Sequence, residues 1–363
     1  MRNAKGEDIL SFLIAATNSI RKARIRWKRA RLETRARQSG TSYCCRVLTG
    51  LSDYNLSINS DMTVSCNCQD DGGAGVIGDL SCQCLKDVFH GPRATAFRRA
   101  LASGRLPILT CACCSELLAV GRLEAERLEK TFEVPRKGVM VENTVACNLH
   151  CVACERARVV HSRKKPSLSL DDMRRVSMEI RQHGIETVYF FKYGEPFLSP
   201  DVVEEIRILR ADNPNVRIVV STNGIPIDSD SRRDAALDTD LIYFSIDGVS
   251  DAVLRKYQRG GSFERSFSNM RELVRRRDER EQKKPEIEWK YVVFNWNDRP
   301  GMIRRAMELA EEAGVDAISF WPTTVPYHGV SWRYRYSRFW QTVGKECWKG
   351  REVRLSHPMR TGR

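Results

Sequence analysis

The chain has 363 residues, 13 cysteines and a formal net charge of +14. Its length allows a large core and two or three domains. An odd cysteine count without a secretory signal argues against a disulfide framework and for metal-bound thiolates in a reducing, cytoplasmic setting. The longest early apolar run, Ile9 to Ala16, is broken by Ser11 and is far short of the ~20 residues of a membrane span, so no span is expected.

Charge divides the chain. Residues 1–40 carry 11 basic against 3 acidic side chains and residues 331–363 carry 9 against 2, which leaves a near-neutral body. In segment 1–40, Ile9, Phe12, Leu13 and Ile20 predict one helical stripe running into Arg21-Lys22-Ala23-Arg24. Residues 41–115 hold nine cysteines: Cys44, Cys45, Cys66, Cys68, Cys82, Cys84, Cys111, Cys113 and Cys114. Separated thiol pairs of this kind suit either a tetrahedral zinc ion or an iron–sulfur cluster. Residues 116–136, with Leu117, Leu118, Val120, Leu123 and Leu128 among charges, predict a connecting helix.

From residue 137 to 325 the pattern becomes α/β. Six β-branched or aromatic runs, 138–141, 187–191, 216–220, 241–244, 287–294 and 317–321, alternate with amphipathic helices, which predicts a parallel sheet. Ser169 with Asp172 forms a capping box for one helix, and Gly314 closes another. The unusual residues fall just after the strands: the cysteines, then Tyr193-Gly194-Glu195-Pro196, Ser221-Thr222-Asn223-Gly224, Ser245-Ile246-Asp247-Gly248 and Asn295-Trp296-Asn297-Asp298. In parallel barrels and open α/β sheets the carboxyl ends of strands bind ligands.

The first of these loops reads Cys147-Asn148-Leu149-His150-Cys151-Val152-Ala153-Cys154. Three thiolates on one short loop can ligate three corners of a four-iron cluster and leave the fourth iron open. With the loops that follow, this spacing resembles the radical S-adenosylmethionine (SAM) superfamily. The resemblance implies a partial (β/α)6 TIM-like barrel, a 4Fe–4S cluster on Cys147, Cys151 and Cys154, and SAM bound at the open iron. Gly194 and Glu195 match the element that meets the SAM amino group, with Tyr193 in place of a glycine. Ser221 and Asn223 match the position that meets ribose or carboxylate, and Ser245 and Asp247 match a strand-four position facing the cofactor. Ala153 stands where the superfamily commonly has an aromatic residue.

The preceding module is then similar to the SPASM or twitch type, an α+β element that holds a second 4Fe–4S cluster. The expected ligands are Cys45, Cys66, Cys111 and Cys114, with Cys44 and Cys68 as the alternatives within their pairs. The implied activity is reductive cleavage of SAM and hydrogen abstraction from a carbohydrate, nucleoside or related metabolite. The cluster would need a reducing partner such as flavodoxin or ferredoxin. Lys290, Tyr291, Asn295, Asn297 and His328 are candidate substrate contacts, and Cys347, in the basic tail of residues 326–363, is a candidate hydrogen donor. Two rival readings are a peptide-modifying maturase and a non-catalytic metal protein whose basic tails bind nucleic acid; Ser331-Trp332-Arg333-Tyr334-Arg335-Tyr336 has the interleaving of aromatic and basic residues the latter requires.

Overall fold

A computed structural model describes residues 4–336 and 352–355 of the chain. They fall into two compact units, Met1–Leu56 with Val64–Pro135, and Ser57–Thr63 with Arg136–Arg363. The second unit carries the parallel sheet. Its strands are β1 (Val139–Val141), β2 (Thr187–Phe190), β3 (Arg217–Thr222), β4 (Leu241–Ser245), β5 (Glu286–Val293) and β6 (Ala317–Pro322), paired parallel in chain order. All six expected strands are present, and the expected capping box and helix stop are formed: Ser169 and Asp172 cap each other's backbone, and Gly314 ends its helix at φ +79°. Residues Glu352–Leu355 add a further parallel strand beside β6.

On β5 the two faces separate by chemistry. Ile287, Trp289, Tyr291 and Val293 are fully buried, and Trp289 packs on Phe263 and Phe267 of the helix Phe263–Glu279. The opposite face presents Glu288 and Lys290 toward neighbouring strands. This alternation follows from the period of two in a strand and places polar groups inside the curved sheet.

A strand outside the expected barrel limits extends the sheet past its first strand. Ser57–Ile58 pairs parallel with β1, and the turn 59–63 reaches the loops beyond β1. There Arg163 donates to Glu142 at 2.7 Å and to Asn59 at 3.0 Å, while Lys164 N–H donates to Asp61 at 3.1 Å. A two-residue strand inside a cysteine-rich stretch has no pattern long enough to announce it, so the expected module boundary of 41–115 is interrupted at 57–63.

In the first unit, Ala4–Ser39 is one long helix. Its end is fastened by Arg29, which donates to the Leu106 carbonyl at 2.7 Å, and by Glu33, which accepts the Leu106 N–H at 2.9 Å. The expected helix over 116–136 divides. Leu117–Val120 is a strand antiparallel to Ser42–Cys45, and only Arg122–Lys130 is helical. Pairing with a partner strand overrides the helical spacing of those leucines.

The Arg163–Glu142 pair has almost no solvent exposure on either side chain. Removing one member of such a pair leaves a buried charge, at a cost of about 3–5 kcal/mol. Arg163→Ala is therefore expected to lose about that much stability in urea unfolding, whereas Arg163→Leu with Glu142→Leu should recover a large part of it; equal losses for both would contradict the assignment.

Candidate active site

The cysteine loop leaves β1 and is held by its backbone. Val145 N–H donates to Pro166 O at 2.8 Å, His150 N–H to Arg259 O at 2.9 Å and Val152 N–H to Tyr257 O at 3.0 Å. Leu149 is buried beneath it. With these anchors Cys147 and Cys151 are part-buried and Cys154 is exposed. The three thiols lie close enough to interact: burial raises Cys151 first, and the other two would add like charge; burial likewise pushes Cys147 up to about 11. Desolvated thiols that repel one another when ionised suit a cation that takes all of them as thiolates.

Gly194 sets the distance to the next loop. A Cβ at Gly194 would lie 2.0 Å from the Thr144 carbonyl and 3.0 Å from that of Ala146, so only glycine permits this approach. Glu195 N–H donates to Ala146 O at 2.8 Å. The Glu195 carboxylate is buried and accepts three bonds, from Thr222 Oγ1 at 2.7 Å, Asn223 N–H at 2.7 Å and Phe197 N–H at 3.3 Å. Burial pushes its carboxyl up to about 7, against those hydrogen bonds. Most of its acceptor capacity thus holds the loop after β3, and one lone-pair direction remains. Asn223 in turn donates to the Asn148 side chain at 2.9 Å, tying that loop to the cysteines.

Ser221 and Ser245 lie on adjacent strands with their hydroxyls 3.1 Å apart. Asp247 is buried: its carboxylate accepts Val292 N–H at 2.9 Å, its carbonyl accepts from Asn297 at 3.0 Å, and burial pushes its pKa up to about 7. Its observed partners are therefore backbone and scaffold groups. Tyr291 and Asn297, expected as substrate contacts, are fully buried. Tyr291 donates to Asn297 O at 3.2 Å and Asn297 accepts Phe294 N–H at 2.7 Å, so both are spent on the β5 loop. Asn295 donates to His328 O at 2.6 Å, and the exposed His328 lies in the turn Tyr327–Gly329. Lys290 keeps an uncommitted, part-buried ammonium, and the bond to His328 uses its backbone carbonyl rather than its ring. Cys347 lies outside the described residues.

Sequence reasoning missed residues 257–261. Gln258 accepts Asp247 N–H and donates to Ser245 O, each at 2.9 Å, while its neighbours' carbonyls pin the cysteine loop. The Gly260-Gly261 pair, with Gly260 at φ +81°, was the available signal of a tight turn there.

In the first unit a second thiol group converges. Burial raises Cys45 and Cys66 strongly, with like charge from Cys111 and Cys114 next, and burial pushes Cys114 up to about 11. Asn67 donates to Cys114 Sγ at 3.2 Å. Gly75 leaves room beside Cys66: a Cβ there would sit 3.3 Å from its sulfur. The other thiols are occupied elsewhere. Cys44 faces Glu124, Cys68 bonds Asn55 at 2.8 Å and Cys84 caps the helix Leu85–His90. Among the described residues no three His, Cys, Asp or Glu side chains close on a point as the ligands of one metal ion do; a four-iron cluster takes its thiolates on separate irons and spreads them wider.

Residues 141–278 match the Radical SAM superfamily model. The chain is 30% identical over 143 residues to a GTP 3',8-cyclase of Streptomyces coelicolor, covering 39% of this chain and 42% of the cyclase, so it spans less than half of that relative. In fold it is similar to SuiB of Streptococcus suis bound to precursor peptide SuiA, with a TM-score of 0.50 at 12% identity over 66% of this chain and 53% of that one. It also matches anSMEcpe with bound AdoMet, with a TM-score of 0.44 at 16% identity over 60% of this chain and 62% of that one. The superfamily's cofactors are a 4Fe–4S cluster and SAM. No helix among the described residues is long and apolar enough to cross a membrane.

The site has a pH signature. Burial pushes Glu195, Glu205 and Asp247 each up to about 7; Glu205 accepts from Asn143 and Ser199 behind the Glu195 loop. Unfolded carboxyls titrate near 4, so between about pH 4 and 7 the unfolded chain binds fewer protons and stability falls as pH rises. Urea midpoints of the cluster-free chain should decrease across that window, and Glu205→Gln should flatten the slope; a flat wild-type profile would contradict the burial of these groups.

Proposed function

Since residues 141–278 match the Radical SAM superfamily model, we propose that this protein is a radical SAM enzyme that holds a 4Fe–4S cluster on Cys147, Cys151 and Cys154. The carrying observation is the convergence of those thiols on a backbone-pinned loop beside Glu195 and Asn223. Cys147, Cys151 and Cys154 would hold the cluster, which would supply an open iron for SAM and the electron for its reductive cleavage ahead of hydrogen abstraction. The chain's own residues orient and enclose. The remaining acceptor direction of Glu195 and carbonyls of the Gly194 loop suit an ammonium group. The Ser221 and Ser245 hydroxyls and the Asn223 amide supply donors and acceptors for ribose or carboxylate. Buried Leu149, Phe197 and Ile246 limit water around these groups.

Cys45, Cys66, Cys111 and Cys114 are proposed to hold a second 4Fe–4S cluster, and a flavodoxin or ferredoxin to supply electrons. The substrate proposed is a carbohydrate, nucleoside or related metabolite. A relative named for GTP and the ammonium of Lys290 within the barrel support that choice. A role of the tail in nucleic-acid binding has less support, because Arg333 pairs with Asp298 at 2.7 Å and Trp332–Tyr336 is a short helix.

The test is SAM turnover. Anaerobically reconstituted, dithionite-reduced protein should form 5'-deoxyadenosine and methionine from SAM, and Cys151→Ala should lower this by at least about a hundredfold, since removing an essential group costs several kcal/mol in the barrier. Wild type without 5'-deoxyadenosine would refute the proposal.

A further inference from the structure

Lys290 is the one cation on the inward face of β5, and its surroundings do not neutralise it. Its register partners are Ser245 on β4 and Ser319 on β6, so small hydroxyl residues lie beside Lys290 on both neighbouring strands. Nζ lies 4.5 Å from the Trp321 ring centroid and 6.0 Å from that of Tyr243. Those rings favour a cation over their faces but offer no hydrogen-bond acceptor in the plane of a lone pair. Among the described residues, Nζ makes no hydrogen bond and no ion pair; only the more distant charges of Asp247 and Glu288 act on it.

Neither carboxylate is available to it as a close partner. Glu288 pairs with Arg354 at 2.5 Å and also accepts from Ser319. Asp247 accepts the Val292 N–H, and it acts on Lys290 through its charge without a hydrogen bond. Burial also lowers the pKa of Lys290, which is the cost of keeping an unpaired ammonium there. A part-buried ammonium with three unused donors is stabilised when an anion enters and takes them.

We propose that Lys290, with Ser245 beside it in strand register, anchors an anionic group, a phosphate or a carboxylate, inside the barrel. This deepens the reading above and rests on it for the identity of the site: the anion belongs either to the substrate or to the carboxylate of SAM. A substrate of the nucleotide, sugar phosphate or sugar acid kind satisfies the first case. Lys290 is a binding residue here and takes no part in electron or hydrogen transfer.

The experiment uses the full chain, with and without reconstituted clusters, and inorganic phosphate as the probe. Brief acetic anhydride treatment at constant ionic strength is followed by peptide mass spectrometry, with exposed Lys283 as the internal standard. Phosphate is expected to slow Lys290 acetylation at least threefold relative to Lys283, and to raise the thermal midpoint of wild type but not of Lys290→Met. Protection by phosphate in the presence of saturating SAM, with SAM affinity within twofold of wild type in Lys290→Met, assigns the anion to the substrate. Protection by SAM alone, with SAM affinity weakened at least tenfold in Lys290→Met, assigns it to the SAM carboxylate. Acetylation of Lys290 that neither phosphate nor SAM slows would overturn the proposal. The phosphate arm is read in cluster-free protein as well, so a chain that builds no cluster defeats the radical reading alone. If Lys290→Met does not fold, the protection of wild-type Lys290 still decides the matter.

Discussion

The close approach of Gly194 to the Thr144 carbonyl governs the barrel site. With no side chain between them, the loop after β2 lies directly against the cysteine loop, and the Glu195 N–H reaches Ala146. That contact carries the Glu195 carboxylate under the end of β3, where it accepts from Thr222 and Asn223. Asn223 then reaches back to Asn148 between the first two cysteines. Three chain segments are thus cross-linked by hydrogen bonds around one buried carboxylate, and a methyl group at residue 194 would separate them. Such networks are stable only when every member is satisfied.

The two thiol groups share a physical logic despite lying in separate compact units. In each, burial raises the thiols and their mutual repulsion opposes ionisation. The cost of assembling such a group is recovered when a metal cluster takes the thiolates, and protons are released as it does so. The difference lies in the number of thiols proposed as ligands, three in the barrel loop and four in the N-terminal unit. Three leave an iron position for a cofactor, whereas four complete the coordination.

Much of the barrel was legible because its strands are runs of β-branched residues and its helices carry ordinary end signals, such as Ser169 with Asp172 and Gly314. The placement of site residues after strands followed from the same alternation. What escaped was set by tertiary pairing. Ser57–Ile58 is too short to show a period, and Leu117–Val120 has helical spacing but finds a strand partner. Tyr291 and Asn297 look like mouth residues until the β5 loop folds back and consumes them. Gln258 bridges Ser245 and Asp247 from a turn whose only mark is Gly260-Gly261. The convergence of Cys45 rather than Cys44 depends on which face of Ser42–Cys45 turns inward, a matter settled only by pairing with Leu117–Val120.

The central claim is that two thiol groups of this chain each hold a four-iron cluster. Its most direct test is iron and acid-labile sulfide per chain in anaerobically prepared protein. Wild type is compared with one variant carrying Ala at Cys147, Cys151 and Cys154, and with another carrying Ala at Cys45, Cys66, Cys111 and Cys114. Wild type is expected to hold about eight irons, four for each thiolate-ligated cluster, and either variant to lose about half. Wild-type protein without iron, or iron unchanged by both sets of substitutions, would contradict it.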